Sequence, residues 1–398
     1  MSWEIIFISA LALVVSFALT YLLIRTAKHI GLIDVPNERS SHDVPTPRGG
    51  GIAIVLASIG AMAILTATGL IPLRLFIAVS GGGAMVATVG FIDDCRSLSA
   101  AIRLVVHFVA AVWAVGWLGP VTHIELGSGS LDLGVFAYPM SILAIVWFLN
   151  MFNFMDGIDG IAASQSVFMC AALSILAWHW GAQSSIAPAA LMIGAASVGF
   201  LVWNWPPAKI FMGDVGSGYL GFSLAVLGVA SSQHDPSAPL SWLIVAGIFA
   251  VDATFTVARR FLRGERVTQA HRTHAFQLLA KRIGHRNATL GVASVNLVWI
   301  LPCAIASILW PQYISELTAL TLSPLIAYAF MIGAGQPEAP PRTPADAPSA
   351  IVVPLPKLAM ARRRMPANRE SFRRPVPSHA QPEPILTERR PNDVECAN

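Results

Sequence analysis

Long apolar runs recur along most of the chain, and they decide what it can fold into. They lie near residues 3–24, 51–70, 72–91, 101–118, 139–154, 159–178, 186–204, 214–231, 240–258, 290–310 and 312–334. About 20 apolar residues in a helix cross the ~30 Å hydrocarbon core of a bilayer. The expected fold is therefore all-α: a polytopic membrane helical bundle of about eleven transmembrane helices. A soluble globular fold is excluded, because 55% of the residues are hydrophobic and only 12% are charged, against about 25% charged in soluble domains.

Charge placement orients the bundle. The first run has Glu4 ahead of it and Arg25 and Lys28 behind it, the reverse of a cleavable signal peptide, so it reads as a retained span with its N-terminus outside. Alternating sides from there puts Arg25, Lys28, Arg39, Arg48, Arg96, Lys209, the stretch Arg259 to Arg286 and the tail in one family of loops, with Arg74 the main exception. The positive-inside rule makes those loops, and the C-terminus, cytoplasmic. The expected location is a cytoplasmic membrane. Beyond residue 334 the composition turns to Pro, Ala, Arg and Ser, so 1–334 is expected to be the transmembrane domain and 335–398 a disordered Pro/Arg-rich cytoplasmic tail. Cys95, Cys170, Cys303 and Cys396 form no metal-binding or redox spacing, and neither disulfides nor structural zinc are expected.

Hydrocarbon penalises charge, so carboxylates at or inside span ends call for a function, a partner or a cation. GFIDD at 90–94 places Asp93 and Asp94 side by side at the end of a span, where mutual repulsion favours a cation or a shared proton; a simple water-facing span end is the bland alternative. NMFNFMDGIDG at 150–160 gathers Asn150, Asn153, Asp156 and Asp159 without a compensating Lys or Arg. Such an oxygen-rich set suits Mg²⁺ or sugar hydroxyls, against the plainer reading of a connecting turn. Asn204, Lys209 and Asp214 belong to a Gly-rich loop leading into the eighth run. Free backbone N–H groups there could cradle a phosphate, or Asp214 could merely cap the helix.

The loop from Arg259 to Gln277 carries His271, Arg272 and His274 among several arginines. Arginine forks match phosphate oxygens, and the two histidines read as hydrogen-bond donors to phosphate, although an ordinary positive-inside loop has the same composition. Asp252 suits either a structural ion pair or the site. In the first cytoplasmic loop, Arg39, His42 and Arg48 stand where they can reach an anion.

Taken in order, DVPNERSSHDVPTPRGGG at 34–51, GFIDD at 90–94, NMFNFMDGIDG at 150–160, PAKIFMGDVGS at 207–217 and AHRTHAFQ at 270–277 resemble the polyprenyl-phosphate N-acetylhexosamine-1-phosphate transferases, bacterial glycosyltransferase family 4 members of the WecA and WbpL type. The resemblance runs from residue 1 to about 334. It implies Mg²⁺-dependent transfer of a sugar 1-phosphate, GlcNAc or a 6-deoxy relative such as N-acetylfucosamine or N-acetylquinovosamine, from a UDP-sugar to undecaprenyl phosphate. UMP is released, and the lipid-linked product starts a surface glycan such as the O-antigen of lipopolysaccharide.

Carried over by position, Asp214 is the leading Mg²⁺ ligand, with Asn153 or Asp159 next and Mn²⁺ an alternative ion. Asp93 is the base on the lipid phosphate or else positions it, and Asp94 helps hold the site. Asp156 and Asp159 contact nucleotide-sugar or metal water. His271, Arg272 and His274 contact the diphosphate or the sugar. Expected partners are the UDP-sugar, undecaprenyl phosphate and the bilayer, with a homodimer left open and no nucleic acid. A single displacement is favoured over an aspartyl intermediate, since an acceptor phosphate is already an anionic nucleophile. A secondary transporter would instead predict carboxylates near the midplane and repeat symmetry. Here the acids gather at one face, and no repeat is found.

Overall fold

The computed structural model describes residues 2–30, 32–34, 44–181, 185–265 and 271–337. Arg39, His42 and the expected tail lie outside the described residues. The described chain is a helical bundle: α1 (Trp3–Ile30), α2 (Gly51–Ala67), α3 (Leu73–Cys95), α4 (Ala100–Leu118), α5 (Gly134–Met155), α6 (Ile161–His179), α7 (Ile186–Asn204), α8 (Asp214–Ser231), α9 (Ala238–Val245), α10 (Gly247–Leu262), α11 (Ala275–Ile283), α12 (His285–Leu309) and α13 (Pro311–Ile332). Two short antiparallel hairpins complete it, β1 (Ile33–Asp34) with β2 (Thr46–Pro47) and β3 (His123–Glu125) with β4 (Ser130–Asp132).

Among the described residues nine helices are long and apolar enough to cross a membrane, or ten if α9 and α10 count as one broken span. The run at 51–70 forms the seventeen-residue α2, shorter than the other spans. The run at 240–258 is not one straight helix: it breaks at Ala246, and α10 leaves α9 at 79°. The runs at 139–154 and 159–178 stay separate helices, joined by a turn that carries Asp156 and Asp159.

Helix α8 is the axis of the bundle, buried over 94% of its span. Lipid tails are as apolar as leucine, so helices in a bilayer associate through close van der Waals contact, which small residues allow. The sequence of α8 supplies that surface with Gly216, Gly218, Gly221 and Gly228. Gly216 backs onto Gly51 at the start of α2, and Gly221 onto Leu149 and Phe152 of α5. The outer helices turn apolar side chains outward, as at Trp3 and Phe7 of α1 and Val105 and Val109 of α4.

One consequence is testable away from the polar end of the bundle. A methyl at Gly221 would sit 2.7 Å from Phe152 Cβ and 2.9 Å from Leu149 Cα, neither of which is the tip of a flexible side chain. Gly221→Ala is expected to cost about 1–3 kcal/mol through overpacking, read as a lower Tm in detergent. An unchanged Tm would contradict the close α5–α8 seam.

Candidate active site

The polar motifs meet at one end of the bundle, held there by backbone hydrogen bonds. The N–H of Phe211 donates to Pro47 O at 2.8 Å, and Gly50 and Gly51 donate to Phe211 O and Met212 O, both at 2.9 Å. These bonds fasten the chain ahead of α2 to the chain ahead of α8 and bring Arg48 beside Asp214. Asn204 at the end of α7 closes the next seam: its Oδ1 accepts from Gly160 N at 3.0 Å and its Nδ2 donates to Ile210 O at 2.9 Å. Asn204 was expected to touch substrate. In the structure both ends of the buried amide are engaged with backbone groups that would otherwise be unsatisfied.

Asp94, at the end of α3, caps α8 from outside. Its Oδ1 accepts from Asp214 N at 2.9 Å and its Oδ2 from Val215 N at 3.2 Å. The first N–H groups of a helix have no partner within it, and a carboxylate there is favoured by the helix dipole. Arg48 Nε lies 2.7 Å from the same carboxylate, whose side chain is fully buried. Asp94 is thus a pin between α3, α8 and Arg48.

Asp214 meets an arginine on each oxygen, with Arg48 Nη2 3.3 Å from Oδ1 and Arg103 Nη1 2.7 Å from Oδ2. The same Arg103 nitrogen lies 2.8 Å from Asp93 Oδ2, while Asp93 Oδ1 accepts from Leu98 N at 2.6 Å. Burial works against the charge on Arg48, yet Asp94, Asp214, Asp34 and Asp93 together raise its pKa. Three carboxylates and two guanidinia interleave here, and charge-assisted bonds of this kind are the strong ones. Arg103 was missed by sequence reasoning, although a signal was present in an arginine one turn inside an apolar run, ten residues after Asp93.

The turn between α5 and α6 supplies further oxygens. Asn153 Nδ2 donates to Ser217 Oγ at 2.9 Å, which leaves its Oδ1 without a protein partner among the described residues. The carboxylate of the half-buried Asp156 has no hydrogen bond or ion pair among them, while its N–H donates to Asn153 O at 3.2 Å. Burial pushes its pKa up to about 7, reinforced by the negative charges of Asp214, Asp94 and Asp159 and opposed by Arg48. Asp159 is occupied, accepting from Ala208 N at 3.1 Å on Oδ2 and lying 3.3 Å from His285 Nδ1 on Oδ1. Asn150 turns its Nδ2 back to Val146 O at 2.7 Å. Lys209 stands apart from the acids, with Nζ 5.0 Å from the centre of the Trp203 ring.

The histidine loop docks against this turn from the other side. His274 stacks 6.5 Å from Phe154, and Gly157 faces Phe276 and Gln277. The loop is held by Asp252, buried within α10. Its Oδ1 accepts from Ala275 N at 2.9 Å and from Thr256 Oγ1 at 3.1 Å and lies 3.2 Å from His274 Nδ1, and its Oδ2 accepts from Phe276 N at 3.0 Å. Asp252 therefore caps α11 rather than pairing with the arginines. His271 lies 4.8 Å from the His274 ring and 3.1 Å, through Nδ1, from Thr273 Oγ1. Burial, with His274 and Arg260, lowers its pKa to about 4, so it is neutral at pH 7. Arg272 shares the turn between the two histidines.

Among the described residues no three His, Cys, Asp or Glu side chains converge as a metal cage. That is compatible with Mg²⁺, which one or two carboxylates plus substrate phosphates usually hold. The donor set is all oxygen, the Asp156 carboxylate is unpaired among the described residues, and a cation would relieve both the burial and the neighbouring negative charges that raise its pKa. The residues present fit such an ion.

Comparison with known proteins places this geometry. Residues 76–232 match the family model described as glycosyl transferase family 4. The chain is 29% identical over 315 residues, 74% of its length and 87% of the relative's, to a Bacillus subtilis protein named "Probable undecaprenyl-phosphate N-acetylglucosaminyl 1-phosphate transferase". It is 28% identical over 332 residues, 75% of its length and 80% of the relative's, to a Mycobacterium tuberculosis decaprenyl-phosphate N-acetylglucosaminephosphotransferase. It is also 28% identical over 268 residues, 65% of its length and 71% of the relative's, to the Escherichia coli undecaprenyl-phosphate alpha-N-acetylglucosaminyl 1-phosphate transferase.

The cap on α11 makes a prediction. Asp252→Ala leaves the N–H groups of Ala275 and Phe276 buried without their acceptor, at about 1–3 kcal/mol for each group left unsatisfied. Faster amide hydrogen exchange at 275 and 276 and a lower Tm are expected; exchange as slow as in the parent would show that Asp252 is not what holds the loop.

Proposed function

This chain belongs to glycosyl transferase family 4, within the superfamily of polyprenyl-phosphate N-acetylhexosamine-1-phosphate transferases, and from that premise we propose that it transfers N-acetylglucosamine 1-phosphate, or a 6-deoxy relative, from a UDP-sugar to undecaprenyl phosphate. The observation that carries the reading is the meeting of Asp93, Asp94 and Asp214 with Arg48 and Arg103 at one end of an apolar bundle. An apolar body accommodates a polyprenyl chain, and a polar end of both signs suits two phosphate-bearing substrates and a cation.

The chemistry is one displacement at phosphorus. An oxygen of the acceptor phosphate bonds to the phosphorus that carries the sugar, the bond from that phosphorus to the bridging oxygen breaks, and UMP departs with the electron pair. Little covalent work falls to the protein in such a transfer, so positioning and charge stabilisation dominate. Asp93 borders the acceptor side and keeps it oriented through Arg103. Asp94 holds the start of α8, and so Asp214, in place. Arg48 supplies fixed positive charge as negative charge shifts to the leaving UMP.

Mg²⁺ or Mn²⁺ would be held by Asp214 and Asn153, with Asp156 alongside, and when bound would neutralise the diphosphate. Asn153 Oδ1 is open for this, whereas the Asp159 oxygens are engaged by Ala208 N and His285, and Asp214 would exchange part of its pairing with Arg48 and Arg103 for the cation. His271, Arg272 and His274 would bind the diphosphate or sugar, with His271 neutral. Basic residues concentrate at this end of the bundle, which supports a cytoplasmic face in a bacterial inner membrane with the N-terminus outside. The product would start a surface glycan such as O-antigen.

Purified protein in detergent with undecaprenyl phosphate and Mg²⁺ should release UMP from UDP-GlcNAc or from its 6-deoxy relatives, and from UDP-MurNAc-pentapeptide at least tenfold more slowly. Release that did not need the lipid phosphate, or none from any of these donors by monodisperse protein, would refute the assignment.

A further inference from the structure

Arg103 is held in a way that leaves half of its guanidinium open. Nη1 alone makes both ion pairs, to Asp93 Oδ2 at 2.8 Å and Asp214 Oδ2 at 2.7 Å, while Nε and Nη2 carry no protein partner among the described residues. Side-chain exposure is 32%, so the open edge is accessible. A guanidinium is planar and offers its N–H groups in a fixed fork that matches two oxygens of a phosphate. Two carboxylates on one corner fix the plane and present the remaining edge without the entropy cost of ordering a free side chain.

The surroundings of Arg103 differ from those of the other cations at the site. Arg48, whose side chain is as exposed as that of Arg103, lies on the chain that leads into α2, whereas Arg103 is in the first turns of α4, a peripheral helix buried over only 28% of its span. On the same turns Ile102, Leu104 and Val105 are 51%, 43% and 62% exposed, and Phe91 and Ile92 at the end of α3 are also exposed. Apolar side chains so placed on a membrane helix face lipid. Arg103 itself stands at the edge of that apolar surface, its own helix face continuing into the half-buried Val106 and the buried His107 and Ala110, so a phosphate held on its open edge has a lipid-facing surface within reach of a hydrocarbon substituent.

Resting on the function proposed above, we propose that Arg103, oriented by Asp93 and Asp214, is the binding residue for the phosphate of the lipid acceptor, which reaches it from the bilayer between the end of α3 and the start of α4. The nucleotide-sugar then takes the inner side, toward Asn153, Asp156 and the histidine loop. Charge complementarity selects the occupant, a long-chain polyprenyl phosphate: a dianionic monoester meets a fork with apolar side chains beside it.

The test separates the two substrates. In Arg103→Gln the KM for undecaprenyl phosphate should rise at least tenfold while the KM for the UDP-sugar stays within about twofold, in line with the loss of a charge-assisted hydrogen bond. A general loosening of the site would move both constants together. Binding is measured separately from turnover, by native mass spectrometry of undecaprenyl phosphate adducts in detergent, with undecaprenol and inorganic phosphate as controls. The parent should retain the lipid phosphate and neither control; Arg103→Gln should lose it. Arg103→Lys, which keeps the charge but not the fork, should fall between, and it replaces the glutamine variant should that fail to elute as a monodisperse species.

If the parent itself retains no lipid phosphate, the function proposed above falls. If the parent retains it and the Arg103 variants retain it equally, or if the UDP-sugar KM rises instead, the assignment of Arg103 is overturned while that function stands. Retention of inorganic phosphate as strongly as the lipid would also overturn it, by showing an anion site indifferent to the chain.

Discussion

The carboxylate of Asp94 on the first N–H groups of α8 is the interaction on which the polar end of this molecule depends. A buried helix N-terminus without partners is costly in a low-dielectric interior, and α8 is buried along nearly its whole length. Asp94 satisfies two of those groups from another helix. The same contact locks α3 to α8, sets Asp93 beside Asp214, and creates the negative charge that draws in Arg48. Glycines continue the seam, because Gly90 faces the backbone of Asp214 with no room for a side chain. Removing one carboxylate from such a group would leave guanidinia uncompensated, which is why buried pairs cost more to break than they contribute when intact.

From that contact the site divides into an inner and an outer part. On the inner side, Asn153 Oδ1 and the unpaired Asp156 provide oxygen donors, and the histidine loop is moored by Asp252. On the outer side, Arg103 stands at a helix whose neighbouring residues are exposed and apolar. The transfer proposed above, between a water-soluble nucleotide sugar and a membrane lipid, would require such a division, since its two substrates would approach from different phases.

Much of this was legible in the sequence, because hydrocarbon makes polar residues conspicuous. The helical membrane fold followed from the apolar runs, and the grouping of Asp93, Asp94, Asn153, Asp156 and Asp214 from carboxylates and amides at span ends. What stayed hidden was how the hydrogen bonds are shared out. Asn204 and Asp159 look like site residues by type, yet the fold spends them on Gly160, Ile210 and Ala208 backbone groups. Lys209 packs on Trp203 instead of meeting the acids. Asp252 carried no visible sign that it would cap α11, some twenty residues downstream, because that contact depends on how the chain returns to α10. Arg103 sat inside an apolar run and was read as part of a span, although a charge at such a depth is itself a signal.

The central claim is that Asp214 stands at the meeting point of cation and diphosphate. Titration of Mn²⁺ into purified protein, followed by electron paramagnetic resonance with and without UDP, measures it most directly. The account predicts one Mn²⁺ bound in the presence of UDP, with affinity falling at least tenfold in Asp214→Asn while the protein stays monodisperse. Mn²⁺ bound equally well by that variant would contradict it.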